Sequence, residues 1–265
     1  MSQSTPGERN LSIVDRVQQI ARDEDVAILG IGPASVMAGE PPGYRPADLL
    51  PGVQSMICFG IPLPRAVYHA PAYAPETVWR SQNLLYRRLD AISLRLCAAL
   101  EESGAQAIPV FGCMPQGVNE RGNVAGYVNQ IRMAAGVGLG VIGKNGLLLH
   151  GRYGARLMLG GLFTTASLPD ARPPDGAGPG CPDGCRICSD ACPVHAIMPE
   201  RKQVRIMRCL AHTARTPLMS RLKFVWLRAR DKKAAGRYMS TTTFDEHTFH
   251  VCSSCVSRCP YGEAG

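Results

Sequence analysis

Two cysteine-rich motifs lie in the last third of the 265-residue chain. The first, "CPDGCRICSDACP" (181–193), has the spacing C-x3-C-x2-C-x3-C-P, and the second, "CSSCVSRCP" (252–260), has the spacing C-x2-C-x3-C-P. Both end in the C-P of bacterial ferredoxins, in which the cysteine before the proline binds the neighbouring cluster of a pair. The spacing therefore predicts two [4Fe-4S] clusters.

Each [4Fe-4S] cluster needs four thiolates, and this crossing rule divides the cysteines of the region into two sets. The set expected for the first cluster is Cys181, Cys185, Cys188 and Cys259. The set expected for the second cluster is Cys192, Cys209, Cys252 and Cys255. Cys209, in "RIMRCLAHT", supplies the ligand that the shorter motif lacks. Eight cysteines thus fill eight positions, and none is left over in this region.

Zinc and disulfides are the competing interpretations of the same cysteines. Two four-cysteine zinc sites would use the same thiolates, although zinc does not need the repeated C-P exit. The N-terminal "MSQSTPGERN" carries neither the apolar segment nor the twin arginine of an export signal, so we expect a reducing, cytoplasmic location, where disulfides are rare. His247 and His250 are interpreted as local structure around a cluster. Cys58 and Cys97 are expected in the core, and Cys113 in a loop.

Basic residues are concentrated near the second motif. The formal net charge is +8, and residues 201–237 hold twelve Lys or Arg but one acidic residue. A solvated face is the simplest interpretation, and an acidic redox partner, a nucleic acid or a buried anionic cofactor are the others. Within this stretch, "LMSRLKFVWLRARDKK" (218–233) predicts a helix that packs Leu222, Val225 and Trp226 on the front domain, with membrane-surface or partner docking as the alternative. No apolar run is long enough to predict a transmembrane helix.

The first two thirds of the chain alternates predicted helices and strands. Helices are predicted over 11–24, 76–103 and 128–136, strands over 25–34, 53–64 and 105–112, and two strands around a tight turn over 145–165. This alternation predicts an α/β or α+β front domain. The Pro/Gly-rich segment 168–180 is the predicted linker, so that a front domain, 1–170, precedes a cluster domain, 171–265.

A glycine-rich stretch, "GVGLGVIGKNG" (136–146), is the most informative part of the front domain. Gly138, Gly140 and Gly143 match G-x-G-x-x-G, but the run follows a predicted helix and precedes strands, which is not the Rossmann context. It is not a Walker A loop either, because Lys144 is followed by Asn145. The glycines would let the backbone approach a large flat ligand closely, and a tight connection without a ligand is the alternative.

The segment "GLGVIGKNGLLLHGRYG", followed by "CRICSDACPVHAI", "RCLAHT" and "CSSCVSRCPYG", resembles the epoxyqueuosine reductases and reductive dehalogenases, one superfamily of corrinoid and iron–sulfur enzymes. "RPADLLPGVQSMICFGIPLP" is similar to the same superfamily. The resemblance implies an α+β protein in which a nitroreductase-like α/β front domain holds cobalamin and a bacterial ferredoxin-like domain holds two [4Fe-4S] clusters. The residues that it places against the corrinoid are Gly138, Gly140, Gly143, Lys144 and Asn145.

The resemblance also implies a reaction, in which the clusters reduce cobalt to Co(I) and a proton donor completes reduction of a substrate. Epoxyqueuosine reductases carry an acidic donor shortly before their G-L-G. This chain has Val124 there, and Glu120 and Tyr127 are the nearest candidates. A flavodoxin or ferredoxin is the expected electron donor, and tRNA is a second partner that is not favoured, because no helical-repeat extension follows. The competing functions are an electron-transfer protein without its own substrate and an activator that re-reduces another protein's corrinoid.

Overall fold

The structure, a computed structural model, describes residues 12–70, 74–112, 117–118, 124–173, 178, 180–241, 249–250 and 252–261. The helices are α1 (Ile13–Asp23), α2 (Pro46–Leu49), α3 (Ala74–Glu102), α4 (Gln130–Gly136), α5 (Ile187–Asp190), α6 (Ile206–Thr213), α7 (Leu218–Arg230), α8 (Lys232–Thr241) and α9 (Ser254–Ser257). The strands are β1 (Ile28–Pro33), β2 (Ser55–Pro62), β3 (Ala107–Val110), β4 (Gly117–Val118), β5 (Val124–Ala125), β6 (Val141–Ile142), β7 (Leu148–Leu149), β8 (Leu157–Thr164), β9 (Ile197–Met198), β10 (Gln203–Val204), β11 (Ala214–Arg215) and β12 (Phe249–His250).

A four-stranded antiparallel sheet of order β1-β2-β8-β3 forms the centre of the front part. Its two long strands, β2 and β8, pair along their full length, from Ser55 opposite Thr164 to Pro62 opposite Leu157. Side chains of β2 alternate between two packed faces, because successive residues of a strand point to opposite sides. Ile57 and Phe59 belong to the core formed with α1 and α3, whereas Met56 and Cys58 belong to the core formed with α4. The sheet is therefore covered by helices on both faces.

The helix ends follow local signals in the sequence. At the start of α1, Ser12 Oγ accepts a hydrogen bond from the Asp15 backbone N–H at 3.2 Å, and the Asp15 carboxylate accepts one from the Ser12 N–H. Beyond the end of α3, Gly104 has a φ of 89°, a left-handed conformation that glycine adopts without a steric penalty. The predicted helices over 11–24, 76–103 and 128–136 are confirmed to within a few residues.

The strands over 25–34, 53–64 and 105–112 are also confirmed, in shortened form. The two strands expected over 145–165 are present but are not partners of each other. β7 is two residues long and pairs with β6, whereas β8 enters the central sheet between β2 and β3. The predicted linker is partly tied to the sheet as well, because Ala171 and Ile31 exchange backbone hydrogen bonds of 2.9 and 3.0 Å. The mixed α+β class is confirmed, and the domain boundary at 170 remains a prediction.

The cysteine-rich part of the chain consists of short helices and two-stranded ladders. α7 and α8 form a helical hairpin whose contact is centred on Phe224 and Ala235. The prediction that Leu222, Val225 and Trp226 pack on the front domain is wrong, because all three side chains are exposed in α7. The helix instead buries Phe224, which lies on its opposite side. Within the described residues, no helix is both long enough and apolar enough to span a bilayer.

Candidate functional site

The first expected cysteine set comes together where α5 meets α9. The two short helices are in contact, and this brings Cys188 of α5 near the second motif. Burial, followed by the charges of Cys181, Cys185 and Cys259, raises the pKa of the Cys188 thiol. The three cysteines that act on Cys188 are its expected partners in the first set, including Cys259 from the far motif.

A short two-stranded ladder between β11 and β12 brings Cys209 and Cys252 of the second expected set close together in the fold. α6 carries Cys209 and leads into β11, which pairs with β12 just before Cys252. The Cys252 N–H donates to Thr213 Oγ1 at 3.1 Å, which closes this junction. Burial, followed by the charges of Cys252 and Cys192, raises the pKa of Cys209. Three segments that are distant in sequence thus supply the second set, namely the end of the first motif, α6 and the second motif.

Cys255 lies at the boundary between the two sets. Burial raises its pKa to about 12, with further contributions from Cys209 and Cys252, then from Cys188 and Cys192. The influence of Cys188 shows that the sets are neighbours, which a pair of clusters exchanging electrons would require. Such a high pKa disfavours the free thiolate, and a bound metal would supply the charge that stabilises it.

The cysteine sets fit an iron–sulfur cluster in several respects. None of the ten described cysteines forms a disulfide. Backbone N–H groups donate to two of the sulfurs, from Ala196 to Cys192 Sγ at 3.2 Å and from Lys144 to Cys181 Sγ at 3.3 Å. Among the described residues, no three His, Cys, Asp or Glu side chains are close enough to hold a single metal ion.

The glycine-rich stretch contacts both cysteine motifs through its last residues. Besides the bond from its N–H to Cys181 Sγ, Lys144 donates from Nζ to the Pro182 carbonyl at 2.9 Å. Asn145 is 3% exposed. Its Oδ1 accepts from the Leu147 N–H at 3.1 Å, and its Nδ2 makes a long, 3.5 Å contact with the Cys255 carbonyl. Both residues, which were expected against a corrinoid, hold the front part of the protein to the cysteine motifs.

The three glycines of this stretch are also explained by contacts within the chain. A Cβ at Gly140 would lie 2.5 Å from the Leu149 carbonyl oxygen, and one at Gly143 would lie 2.7 Å from Leu149 Cδ1. Gly138 has a φ of 79°, and its missing side chain would point at Arg172, 3.1 Å away. The space that glycine leaves open is filled by protein atoms at all three positions. The Cβ directions of these glycines therefore face the protein, and their expected contact with a corrinoid remains a prediction.

Of the two candidate proton donors, the structure describes Tyr127 but not Glu120. Tyr127 is an exposed residue in the segment that precedes α4. Glu120 lies outside the described residues, as do Cys113 and His247, and the side chain of His250 is likewise not described. Cys58 and Cys97 are buried, as predicted. Burial is the first cause that raises the pKa of each of these two thiols to about 12.

A small pocket that the sequence analysis did not identify adjoins the second motif. Its lining includes Arg65, Tyr68, Arg156, Cys259 and Tyr261. Tyr68 is 6% exposed, and its pKa is raised to about 12, first by burial. The Arg156 guanidinium, whose pKa is lowered by burial and then by Arg65, favours the Tyr68 phenolate, whereas Cys255 opposes it. The pocket therefore joins a buried phenol and two cations to a residue of the first cysteine set.

Strand pairing explains why these pocket residues meet. Pro62, at the end of β2, lies opposite Leu157, at the start of β8. The residues just outside the paired region, Arg65 and Tyr68 after β2 and Arg156 before β8, must therefore approach one another. Arg156 Nη1 also donates to the Leu63 carbonyl at 2.7 Å. In the sequence, Arg65 and Arg156 belong to "PLPR" at the end of one strand and "YGAR" before another. That the two segments form one pocket can be inferred only when the pairing of the two strands is known.

No family model matches the chain. It is 35% identical over 91 residues to an epoxyqueuosine reductase of Lactococcus garvieae and 47% identical over 77 residues to one of Synechococcus. These segments cover 34% and 29% of this chain, and 24% and 23% of the two relatives. A tetrachloroethene reductive dehalogenase of Desulfitobacterium hafniense is 25% identical over 179 residues, which are 67% of this chain and 28% of that one. The matched segments thus span less than a third of the length of these relatives.

Solved structures show the same fold over nearly the whole chain. The epoxyqueuosine reductase of Streptococcus thermophilus gives a TM-score of 0.59 at 17% identity, covering 96% of this chain and 67% of that one. An epoxyqueuosine reductase with a tRNA-Tyr stem loop gives 0.55 at 15% identity, with the same two coverages. A catabolic reductive dehalogenase in complex with 3-bromo-4-hydroxybenzoic acid gives 0.55 at 14% identity, covering 89% and 37%.

In fold and in these matching segments, the chain is similar to known reductases. More particularly, it is similar in fold and in parts of its sequence to the epoxyqueuosine reductases and reductive dehalogenases.

Proposed function

We propose that the chain is an iron–sulfur oxidoreductase that binds two [4Fe-4S] clusters and passes electrons through them to an acceptor. The proposal is supported by the electrostatic interactions among these cysteines. Cys188 interacts with Cys181, Cys185 and Cys259, and Cys209 interacts with Cys252 and Cys192, which are the partners that the ferredoxin spacing predicts. When bound, the clusters supply one-electron redox chemistry. In this chain, the Lys144 and Ala196 backbone N–H groups donate to Cys181 Sγ and Cys192 Sγ, and such bonds would favour the reduced, more negative state of a bound cluster.

A corrinoid is the acceptor that the superfamily resemblance proposes, with a reducible small molecule as the substrate. Glu120 and Tyr127 remain the proposed proton donors. Because Gly138, Gly140 and Gly143 have their open sides filled by the protein itself, we assign no described residue to the corrinoid. The proposed location is the cytoplasm, where a flavodoxin or ferredoxin would supply the electrons.

A second candidate function is an electron-transfer protein without a substrate of its own. Two observations favour it. The residues expected at the corrinoid are held in contacts within the chain, and residues 201–237 present twelve basic side chains that an acidic redox protein would complement. tRNA, which is present with one structural neighbour as a stem loop, is the less favoured partner of this basic region.

Metal analysis of protein purified anaerobically from cobalamin-fed cells separates these functions. About eight irons and one cobalt per chain, with the visible absorbance of [4Fe-4S] clusters, would support the corrinoid-dependent reductase. About eight irons without cobalt, even after cobalamin is added, would favour the electron-transfer protein. Zinc in place of iron after attempted cluster reconstitution would contradict both.

Cys209 provides the sharpest test of the ligand assignment, because it lies outside both motifs. We expect Cys209→Ala to reduce the iron content by about four of about eight atoms per chain, since one cluster loses a ligand and the other keeps all four. The matched control is Cys97→Ala, which removes a buried thiol from the front core and should leave the iron content unchanged. Full iron in the Cys209 variant would show that another residue is the eighth ligand.

A further inference from the structure

Helix α7 exposes an unusual amount of apolar surface. Five of its large side chains are between 53% and 74% exposed, namely Leu218, Met219, Leu222, Val225 and Trp226. Single exposed apolar side chains are common on proteins, but a contiguous group marks an interaction surface. The spacing of these five residues places them on adjacent turns of one helix, so they form a single surface, which we name the α7 stripe.

The geometry of the helix shows that the α7 stripe is separate from the packing of α7 on α8. At about 100° per residue, the stripe covers roughly 120° of the helix circumference. Phe224 and Leu227, which pack against α8, lie on the other side. α7 thus has two apolar faces. The buried one accounts for the folding of the α7–α8 hairpin, so a second apolar face is not needed for that purpose.

Basic residues flank the α7 stripe along both edges. Arg221 and Arg228 follow one edge, and Lys223 and Arg230 follow the other. The Arg230 guanidinium lies 4.7 Å from the centre of the Trp226 ring, at the border of the stripe. No acidic residue occurs within α7. The surface therefore combines an apolar centre with positive charge on each side.

We propose that the α7 stripe docks on the surface of an anionic phospholipid bilayer, with α7 parallel to the membrane plane. The apolar centre would enter the boundary between head groups and acyl chains, while the long basic side chains extend to the phosphates on either side. Trp226 suits such a boundary, because tryptophan is enriched at membrane interfaces. This proposal goes beyond the oxidoreductase activity proposed above. It applies whether the chain is a corrinoid-dependent reductase or an electron-transfer protein.

The arrangement favours lipid over the other anionic occupants. Nucleic-acid interfaces are polar and strongly hydrated, and they would leave a row of aliphatic side chains without a partner. The indole N–H of Trp226 is the one hydrogen-bond donor among the five side chains of the stripe, and a specific protein interface makes several hydrogen bonds. A lipid surface requires only what α7 provides, an apolar strip between two rows of positive charge.

Vesicle flotation of the anaerobically purified full chain tests the proposal. We expect the protein to float with vesicles of phosphatidylcholine and phosphatidylglycerol, to float much less with phosphatidylcholine vesicles, and to be released from the anionic vesicles by high salt. The variant Leu222→Gln with Trp226→Gln should lose about ten-fold or more of the bound fraction, because both changes remove apolar contact. The matched control is Leu84→Gln with Leu94→Gln, which alters two exposed leucines of α3 and should bind like the wild type.

Iron content and the visible spectrum establish that each variant is folded before binding is compared. Equal loss of binding in the α3 control would assign the interaction to general hydrophobicity and would overturn the proposal. So would the absence of binding to anionic vesicles, or binding that the α7 variant does not change. Retention of a tRNA stem loop or of an acidic flavodoxin through α7, without vesicle binding, would assign the surface to that partner instead.

Discussion

At the scale of single residues, the pocket beside the second motif brings together side chains from distant parts of the chain. The division of eight cysteines between two clusters is a prediction that rests on spacing alone, whereas the pocket has no such signal in the sequence. Tyr68 and Arg156 are 88 positions apart in the chain and meet only because β2 and β8 are paired. Neither residue belongs to a motif with a recognisable spacing, so the sequence alone could not predict that the two side chains lie close together.

Gly140 tests whether the glycine-rich stretch serves packing or a ligand. We expect Gly140→Ala to lower the free energy of unfolding by about 1–3 kcal/mol, because its Cβ would lie 2.5 Å from the Leu149 carbonyl oxygen and the backbone must shift. Chemical denaturation of the protein, without added corrinoid, measures this change. The control is Gly39→Ala, where a Cβ meets nothing within 4 Å. If Gly140→Ala kept full stability and lost only affinity for cobalamin, the ligand interpretation would hold.

At the scale of elements, hydrophobic periodicity predicted where helices and strands occur better than it predicted which strands pair with each other. The helix over 76–103 and the strand over 53–64 were found because their patterns are long and local. The sheet order β1-β2-β8-β3 depends on contacts between segments that are distant in sequence, above all β2 and β8, and periodicity does not encode such contacts. The packing prediction for segment 218–233 was wrong for a related reason. The helix has two apolar faces, and its sequence pattern does not indicate which of them is buried.

The connection between the glycine-rich stretch and the cysteine motifs leads to a prediction about cluster retention. Asn145→Ala removes a bond to the Leu147 N–H and the contact with the Cys255 carbonyl. Asn129→Ala removes a bond to the Arg132 N–H at the start of α4. Each change should cost about 1 kcal/mol of stability, because each removes one bond from a side chain to a backbone N–H.

Only the Asn145 change should accelerate the loss of iron in air, since Asn145 alone of the two contacts a segment that carries cluster ligands. The rate is measured from the decay of visible absorbance in matched samples. Equal decay in the two variants would show that the contact with Cys255 does not protect the clusters.

At the scale of the whole molecule, the cysteine-rich part is joined to the front part by more than a linker. Val256, between two expected ligands, packs against the same core as α1 and α3. Tyr261 Oη accepts a hydrogen bond from the Gly180 N–H at 2.8 Å, which ties the end of the described chain to the start of the first motif. The Val256 contact crosses the boundary predicted at 170, whereas the Tyr261 bond lies within the cysteine-rich part. Because of the Val256 contact, the two parts should support each other's stability.

Val256 allows this mutual support to be measured. We expect urea unfolding under anaerobic conditions to show coincident midpoints for the circular dichroism of the front domain and for the visible absorbance of the clusters. Val256→Ala should lower both midpoints together, by the equivalent of about 1 kcal/mol, because it removes partly buried apolar surface from the shared core. Val225→Ala, at an exposed valine of α7, should change neither midpoint. Separate midpoints, with Val256→Ala moving only the absorbance, would mean that the clusters and the front core unfold as independent units.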